Sequence, residues 1–132
     1  MDFILKAPKK GSPVMKNIAP EILRQRLLIE AKYSVKVSKK TIKKFFFGLA
    51  KHLNMKVYGD PIIFSPGGEG KKINQGYDAF IPLIDSGFSL YIWSNAKFLS
   101  LVIYTCKSFE ESEAIQYTHV FFKTRKMVHL KF

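Results

Sequence analysis

Two alternating segments, Phe88–Trp93 and Phe98–Cys106, constrain the fold of this chain more than any other feature. In both segments apolar side chains alternate with polar or aromatic ones, which is typical of a strand with one buried face. The connection between them, Ser94–Lys97, has the length of a hairpin loop. If that loop is symmetric, Trp93 pairs with Phe98. The sequence therefore predicts an antiparallel β-hairpin with a defined register.

Counting outward from this loop brings the chain's one cysteine to a turn. Ser86 falls opposite Thr105 and Asp85 falls opposite Cys106, and Gly87 completes an Asp-Ser-Gly sequence. Side chains on a strand point alternately to its two faces. One face of the hairpin is apolar, and the other carries Asp85, Ser89, Tyr91, Trp93, Ser100, Tyr104 and Cys106. We expect the apolar face to pack on a core and the polar face to offer room for a site.

The remaining elements predict an α+β fold. Further strands are predicted at Gln25–Val37, Met55–Ser65, Tyr77–Asp85 and Met127–Phe132. Apolar residues at helical spacing predict a helix between Ser38 and Asn54, and a second one that starts with a capping box of Ser108 and Glu111. Hairpin-linked strands favour a mostly antiparallel sheet, so the prediction is a two-layer sandwich with two helices on one face. The uncovered face favours a homodimer.

Composition limits the classes of protein that the chain can belong to. Its 132 residues predict a single domain at residues 20–132, preceded by a flexible basic arm at residues 1–19. No apolar run is long enough to span a membrane, the N-terminus lacks the order of a secretory signal, and one cysteine cannot form an intramolecular disulfide. We therefore expect a cytoplasmic protein. The histidines occur singly, so no metal site is predicted.

Positive charge is the other feature of the composition. The chain has 22 Lys and Arg against 10 Asp and Glu, a formal net charge of +12. Such an excess is typical of proteins that bind nucleic acid. The lysines are spread along the chain, however, and form no basic motif. This spread favours a solvated lysine coat over a nucleic-acid-binding module, which is kept as the competing class.

The segment from Asp85 to Cys106 resembles the bacterial and archaeal S-adenosylmethionine decarboxylases. In that family a strand ends in an acidic residue followed by serine, a second strand runs to a tryptophan, and the chain returns to Thr-Cys. Asp85-Ser86, Ser89–Trp93 and Thr105-Cys106 match this pattern without a gap, and the likeness extends over residues 25–132. The resemblance identifies the chain as a divergent relative of these enzymes.

The resemblance implies a self-cleaving enzyme of polyamine (spermidine) biosynthesis. The hydroxyl of Ser86 would attack the carbonyl of Asp85, and elimination from the resulting ester would leave a pyruvoyl group at residue 86. That group forms an imine with the substrate amine and accepts electrons as carbon dioxide leaves. Cys106 would return a proton to the substrate. Gly87 would ease strain in the backbone next to the cleavage point.

Three departures from the family pattern affect these roles. Tyr91 replaces a histidine that assists self-cleavage, and tyrosine is a poor base near neutral pH. Asp78 replaces a serine that is implicated in the same step. The family sequence Trp-Pro-Glu, whose carboxylate binds the ribose of the substrate, becomes Trp93-Ser94-Asn95.

Several alternatives remain open from the sequence. The substrate is S-adenosylmethionine, or it is L-ornithine or L-arginine, whose cationic side chain Glu30 and Asp78 would bind. The chain could also be an uncleaved, inactive homologue. Each residue has a plainer explanation as well: Cys106 as a core residue, Tyr91 and Trp93 as interface filling, and Glu30 in an ion pair with a lysine.

Overall fold

A computed structural model describes residues 15–132 of the chain. Within that range the order is one strand, a helix, four strands, a second helix and a last strand, which is an α+β arrangement. The strands are β1 (Gln25–Lys32), β2 (Ile62–Phe64), β3 (Gly76–Leu83), β4 (Ser86–Trp93), β5 (Phe98–Thr105) and β6 (Lys126–Lys131), and the helices are α1 (Lys39–His52) and α2 (Glu111–Phe122). A 3-10 helix at Lys72–Asn74 precedes β3. Most of the predicted basic arm, residues 1–14, lies outside the described residues.

The strands form one antiparallel sheet in the order β2-β3-β4-β5-β1-β6. The hairpin of β4 and β5 has the register predicted from its loop length, because Trp93 pairs with Phe98 and Ser86 with Thr105. The first strand, β1, lies between β5 and the last strand, β6. The first and last strands of the chain are therefore neighbours at one edge of the sheet. The predicted two-layer α+β sandwich is confirmed.

Both helices cover the same face of this sheet. Alternate residues of β4 and β5 on that face are fully or almost fully buried: Phe88, Leu90, Ile92, Leu99, Leu101 and Ile103. Phe45 of α1 contacts Phe121 and Phe122 of α2, with ring centroids 5.1 Å and 4.7 Å apart. Phe46 of α1 reaches the sheet at Phe88, 6.3 Å away. We call the helix-covered side the inner face and the opposite side the outer face.

The two helices begin in different ways. Ser38 caps α1, where its hydroxyl accepts from the backbone of Thr41 and the Thr41 side chain accepts from the backbone of Ser38. The predicted capping box of Ser108 and Glu111 is wrong, since α2 begins after Glu110, which makes no capping hydrogen bond through its side chain. The chain from Cys106 to Glu110 leaves β5 in an irregular path, and this moves Ser108 too far from the first turn of α2.

Two predicted strands are longer than the strands in the structure. The strand predicted at Gln25–Val37 ends at Lys32. The apolar alternation continues beyond it because the following loop packs under α2, where the Tyr33 and Phe122 rings are 6.1 Å apart. In the predicted strand Met55–Ser65, only Ile62–Phe64 is a strand, and Val57 forms a single bridge to Leu83.

Candidate functional site

The connection between β3 and β4 is a tight turn at the predicted cleavage point. Leu83 pairs with Ser86, so only Ile84 and Asp85 join the two strands. Asp85 has φ 62, in the left-handed region that most residues avoid. The backbone strain that we expected next to the cleavage point therefore falls on Asp85, two positions before Gly87, which is the residue whose carbonyl group Ser86 would attack.

The carbonyl oxygen of Asp85 is held by a short hydrogen bond. The backbone N–H of Cys106 donates to it at 2.7 Å. On the other side of the turn, the N–H of Ile84 donates to the carbonyl of Lys56 at 2.9 Å. An N–H that points at a carbonyl oxygen also stabilises the negative charge that develops there when a nucleophile adds to the carbon.

The hydroxyl of Ser86 is buried and has no hydrogen-bond partner within the described residues. It lies at the start of β4 on the inner face, opposite the fully buried Thr105. The Thr105 hydroxyl uses its own proton elsewhere, since it donates to the carbonyl oxygen of Lys107 at 2.5 Å. A buried hydroxyl without a partner costs about 1–3 kcal/mol. Such a group at a strained turn is typical of a reactive position.

Cys106 follows β5 directly and has an exposed side chain. The alternation of β5 places it on the outer face, whereas the Ser86 hydroxyl points to the inner one. Both residues nevertheless line one pocket of about 300 Å³. Its other lining residues are Phe80, Asp85, Gly87, Ser89, Val102 and Tyr104. The turn and Cys106 are thus close together, as predicted. The Ser86 hydroxyl and the Cys106 thiol, however, lie on opposite faces of the sheet.

Gly87 is required by packing rather than by an unusual backbone angle. A Cβ atom placed on it would lie 2.9 Å from Cε1 and 3.0 Å from Cζ of Phe80. The Phe80 ring therefore rests directly on the backbone next to Ser86 and forms one wall of the pocket. Sequence reasoning missed Phe80. Extending the register count from β4 to β3 would have placed it beside Gly87.

A polar row crosses the outer face farther along the sheet. Asp78 pairs with Tyr91, Tyr91 pairs with Ser100, and Ser100 pairs with Glu30, on four successive strands. Ser100 donates to a carboxylate oxygen of Glu30 at 3.0 Å. Asp78 is exposed and makes no hydrogen bond or ion pair with another described residue. We call these four residues the polar row. Its two carboxylates are three strand spacings apart, about 14 Å.

The polar row is distant from the turn within one chain. Five residues of extended strand separate Tyr91 from Ser86, which corresponds to about 17 Å. The structure thus forms two groups: Asp85, Ser86 and Cys106 at one end of the hairpin, and Tyr91 with Asp78 and Glu30 farther along. No side chain of the second group can reach the first.

The remaining predicted residues, Trp93 and Asn95, fasten a neighbouring segment. The indole N–H of Trp93 donates to Asn74 Oδ1 at 3.1 Å, and the amide of Asn95 donates to the carbonyl of Lys72 at 2.9 Å. Both contacts hold the 3-10 helix against the end of the hairpin. In this arrangement the polar atoms of Trp93 and Asn95 have a structural role.

Residues 15–132 contain no group of three or more His, Cys, Asp or Glu side chains placed to hold a metal ion. None of the helices in that range is long and apolar enough to cross a membrane. The two tyrosines with a shifted pKa lie away from the turn. Burial raises the pKa of Tyr33, where a hydrogen bond with Ser94 acts in the opposite direction, and burial also raises that of Tyr117.

Comparison with known proteins gives a structural match and no sequence match. No family model matches the chain, and no curated protein sequence matches it. Among solved structures, the adenosylmethionine decarboxylase from Aquifex aeolicus VF5 superimposes with a TM-score of 0.65 and 16% sequence identity, covering 84% of this chain and 89% of that one. This chain has the fold of an adenosylmethionine decarboxylase. At that identity the likeness establishes the fold alone.

Proposed function

We propose that this protein is a pyruvoyl-dependent carboxy-lyase that cleaves its own chain between Asp85 and Ser86. The observation that carries the proposal is the hydrogen bond at 2.7 Å from the N–H of Cys106 to the carbonyl oxygen of Asp85. It activates the one carbonyl group that self-cleavage requires. Beside it lie a left-handed residue and a buried hydroxyl without a partner.

The first step needs only groups of this turn. The Ser86 Oγ forms a bond to the carbonyl carbon of Asp85 and releases its proton, while the oxygen of Asp85 takes up negative charge against the N–H of Cys106. The amide bond between the two residues then breaks and its nitrogen takes up the hydroxyl proton, which leaves an ester and a new amino group. Loss of the Cα proton of residue 86 to water breaks its Cβ–O bond, and the carboxylate leaves as the new C-terminus at Asp85. One water molecule then converts the resulting enamine, through its imine, into a ketone and ammonia.

The residues present fit the pyruvoyl group that this sequence of steps would form. Once bound to a substrate amine, the group accepts the electron pair that decarboxylation releases. The chain break would also separate residue 86 from Asp85, so that it could turn toward the outer face, where Cys106 is exposed. The Cys106 thiol then holds the proton that the substrate carbon receives.

We propose a homodimer that joins the outer faces of two copies. The polar row and the turn lie about 17 Å apart in one chain, so they can serve one site only if different copies supply them. A two-fold axis between the sheets and across the strands would bring the polar row of one copy over the turn of the other. The outer face also exposes large apolar side chains, among them Phe64, Phe80 and Tyr104 at 67%, 44% and 42%.

The polar row would bind the cationic part of a substrate of polyamine biosynthesis. Glu30 and Asp78 provide two carboxylates, and Tyr91 and Ser100 lie between them. S-adenosylmethionine, ornithine and arginine each carry a positive charge away from the reacting amine. Tyr91 would help to orient the groups that act in self-cleavage, and Trp93 and Asn95 would bound the substrate site. This activity belongs to the cytoplasm.

The test is intact-mass analysis of the purified protein, followed by assays of carbon dioxide release from the three substrates. We expect two fragments that separate between Asp85 and Ser86, and turnover of one substrate. Ser86→Ala should remain one chain without activity, whereas Ser89→Ala, on the exposed side of the same strand, should still be cleaved. A wild-type chain that stays intact under all conditions contradicts the proposal and leaves an inactive homologue.

The shared site has its own test. Chains with Ser86→Ala and chains with Tyr91→Phe are co-expressed, so that mixed dimers contain one site with both native groups. Faster cleavage of the Tyr91→Phe chain in the mixture than alone supports a site made by two copies. An unchanged rate argues against it.

A further inference from the structure

Exposed lysine and arginine side chains gather at one end of the molecule. We call this end the basic pole, and it comprises Lys32, Lys36, Lys39, Lys40, Lys43, Lys44, Lys97, Lys123, Arg125 and Lys126. These residues come from β1 and the loop after it, from α1, from the loop between β4 and β5, and from the chain between the end of α2 and the first residue of β6. In the sequence they are spread over almost the whole described chain, so only the fold brings them together.

Backbone contacts tie these segments to one another. The N–H of Arg125 donates to the carbonyl of Lys32 at 2.8 Å, and Lys32 pairs with Lys126 in the sheet. The N–H of Tyr33 donates to the carbonyl of Lys97 at 2.9 Å. The next residue donates to the carbonyl of Phe122, the last residue of α2, at 3.1 Å. The cationic residues on these four segments are therefore neighbours.

The first turns of α1 extend the basic pole. A cavity of about 450 Å³ lies between the loop after β1 and α2, and it is lined by Lys36, Lys40 and Lys44 together with Phe121. The other lining residues are Val35, Ser38 and Thr41. No acidic side chain lines this cavity.

Acidic side chains do not balance the basic pole. The sequence has none between Glu30 and Asp60, and none after Glu113. Among the described residues, the one ion pair that a cation of the pole makes is between Lys43 and Asp60, at 3.3 Å on exposed side chains. Helix α2 carries its acidic residues in its first turn, where Glu113 contacts His52 at the far end of α1. Like charges without counter-charges repel, so such a cluster favours a polyanionic partner.

We propose that the basic pole binds the phosphate backbone of a single-stranded nucleic acid. The rim of the pole carries the half-buried aromatic ring of Phe98, at the start of β5. The ammonium group of Lys32 lies 5.8 Å from the Phe98 ring centre. Cations along a backbone and aromatic rings for unpaired bases are the usual combination in single-strand binding.

The chemistry of an anionic membrane fits this end of the molecule less well. Attachment to such a surface adds apolar side chains that enter the lipid boundary. The large apolar side chains that the described residues expose lie mainly on the outer face of the sheet and in the segment before β1, and Val120 is the exception near the pole.

The experiment measures anisotropy of a fluorescein-labelled oligothymidylate titrated with the full chain over a series of salt concentrations. The test variant is Lys40→Gln with Lys44→Gln. The control is Lys56→Gln with Lys107→Gln, which removes the same charge at the opposite end, where Lys107 donates to the carbonyl of Asn54. At about 0.1 M salt, charges more than about 10 Å from the bound strand are largely screened.

We expect the test variant to bind more weakly than the control and its logarithmic salt slope to fall by up to about 1.4, because each phosphate contact to a single strand contributes about 0.7. Circular dichroism of both variants verifies that they are folded. Equal losses in test and control variants overturn the proposal. So does binding to vesicles of anionic phospholipid at lower protein concentration than to the oligonucleotide, or a preference for the duplex of the same length.

Discussion

Gly87→Ala is expected to destabilise the protein through a single contact, with the ring of Phe80. The added Cβ would lie 2.9 Å from the nearest ring carbon. Carbon atoms in contact prefer about 3.5–4.0 Å, so the ring must retreat by at least about 0.6 Å. Phe80 is 44% exposed, and its ring can move outward without displacing the core. We therefore expect a cost of about 1–2 kcal/mol, in the lower part of the range for overpacking.

The assay is a double-mutant cycle of urea unfolding with Gly87→Ala and Phe80→Ala. All four chains carry Ser86→Ala, so that none of them can be cleaved and each unfolds as one chain. In the Phe80→Ala background the added methyl meets no ring, and Gly87→Ala should cost almost nothing there. The coupling energy should then equal most of the cost of the single change.

Gly76→Ala is the contrasting control. A Cβ on Gly76 would lie 1.8 Å from the carbonyl oxygen of Ile92, which is backbone, and the residue has φ +159. No truncation of one side chain can relieve that overlap, so a loss of more than about 3 kcal/mol is expected in every background. If Gly87→Ala costs the same with and without the Phe80 ring, the contact does not explain the glycine, and our account of this wall of the pocket is wrong.

Two further predictions concern the rest of the fold. Ser38→Ala should lower the free energy of unfolding by about 1 kcal/mol, because it removes the hydroxyl that accepts from the backbone N–H of Thr41. Glu110→Ala should change it little, because that side chain makes no capping bond; equal effects in urea unfolding would contradict this. Because burial raises the pKa of Tyr33 and Tyr117 above 10.0, the unfolded chain loses these phenolic protons first. Their contribution is complete below about pH 10 and is lost as the pH rises further. Tyr33→Phe should flatten the decline of stability between about pH 9 and about pH 11, and an unchanged slope would refute the assignment.

Much of the hairpin could be predicted from the sequence alone. The register that pairs Ser86 with Thr105 follows from a four-residue loop and from side chains that alternate with a period of two. The buried stripe of α1 and its cap at Ser38 follow from helical spacing and from a local hydrogen bond. The start of α2 did not follow in the same way, because a capping pattern identifies a helix end only if the preceding loop brings it there.

The candidate site shows where such reasoning ends. The polar row exists because β1 is inserted beside β5, which places Glu30 against Ser100 although the two residues are far apart in the chain. Neither strand reveals this order by itself. A strand's sequence also does not reveal which of its faces the helices cover. The separation of the Ser86 hydroxyl from the exposed Cys106 thiol therefore could not be predicted.

By itself the sequence determined the elements of this protein, the hairpin register and the residues at the turn, because periodicity, capping and loop length act between neighbours in the chain. Only the tertiary structure decided which strands lie side by side, that a side chain at position 87 would meet the ring of Phe80, and that scattered cations share one end of the molecule. These features depend on pairing between segments that are distant in sequence, and on the free energy of burying a common apolar core. Many arrangements of the same elements satisfy the local rules, and packing selects one of them.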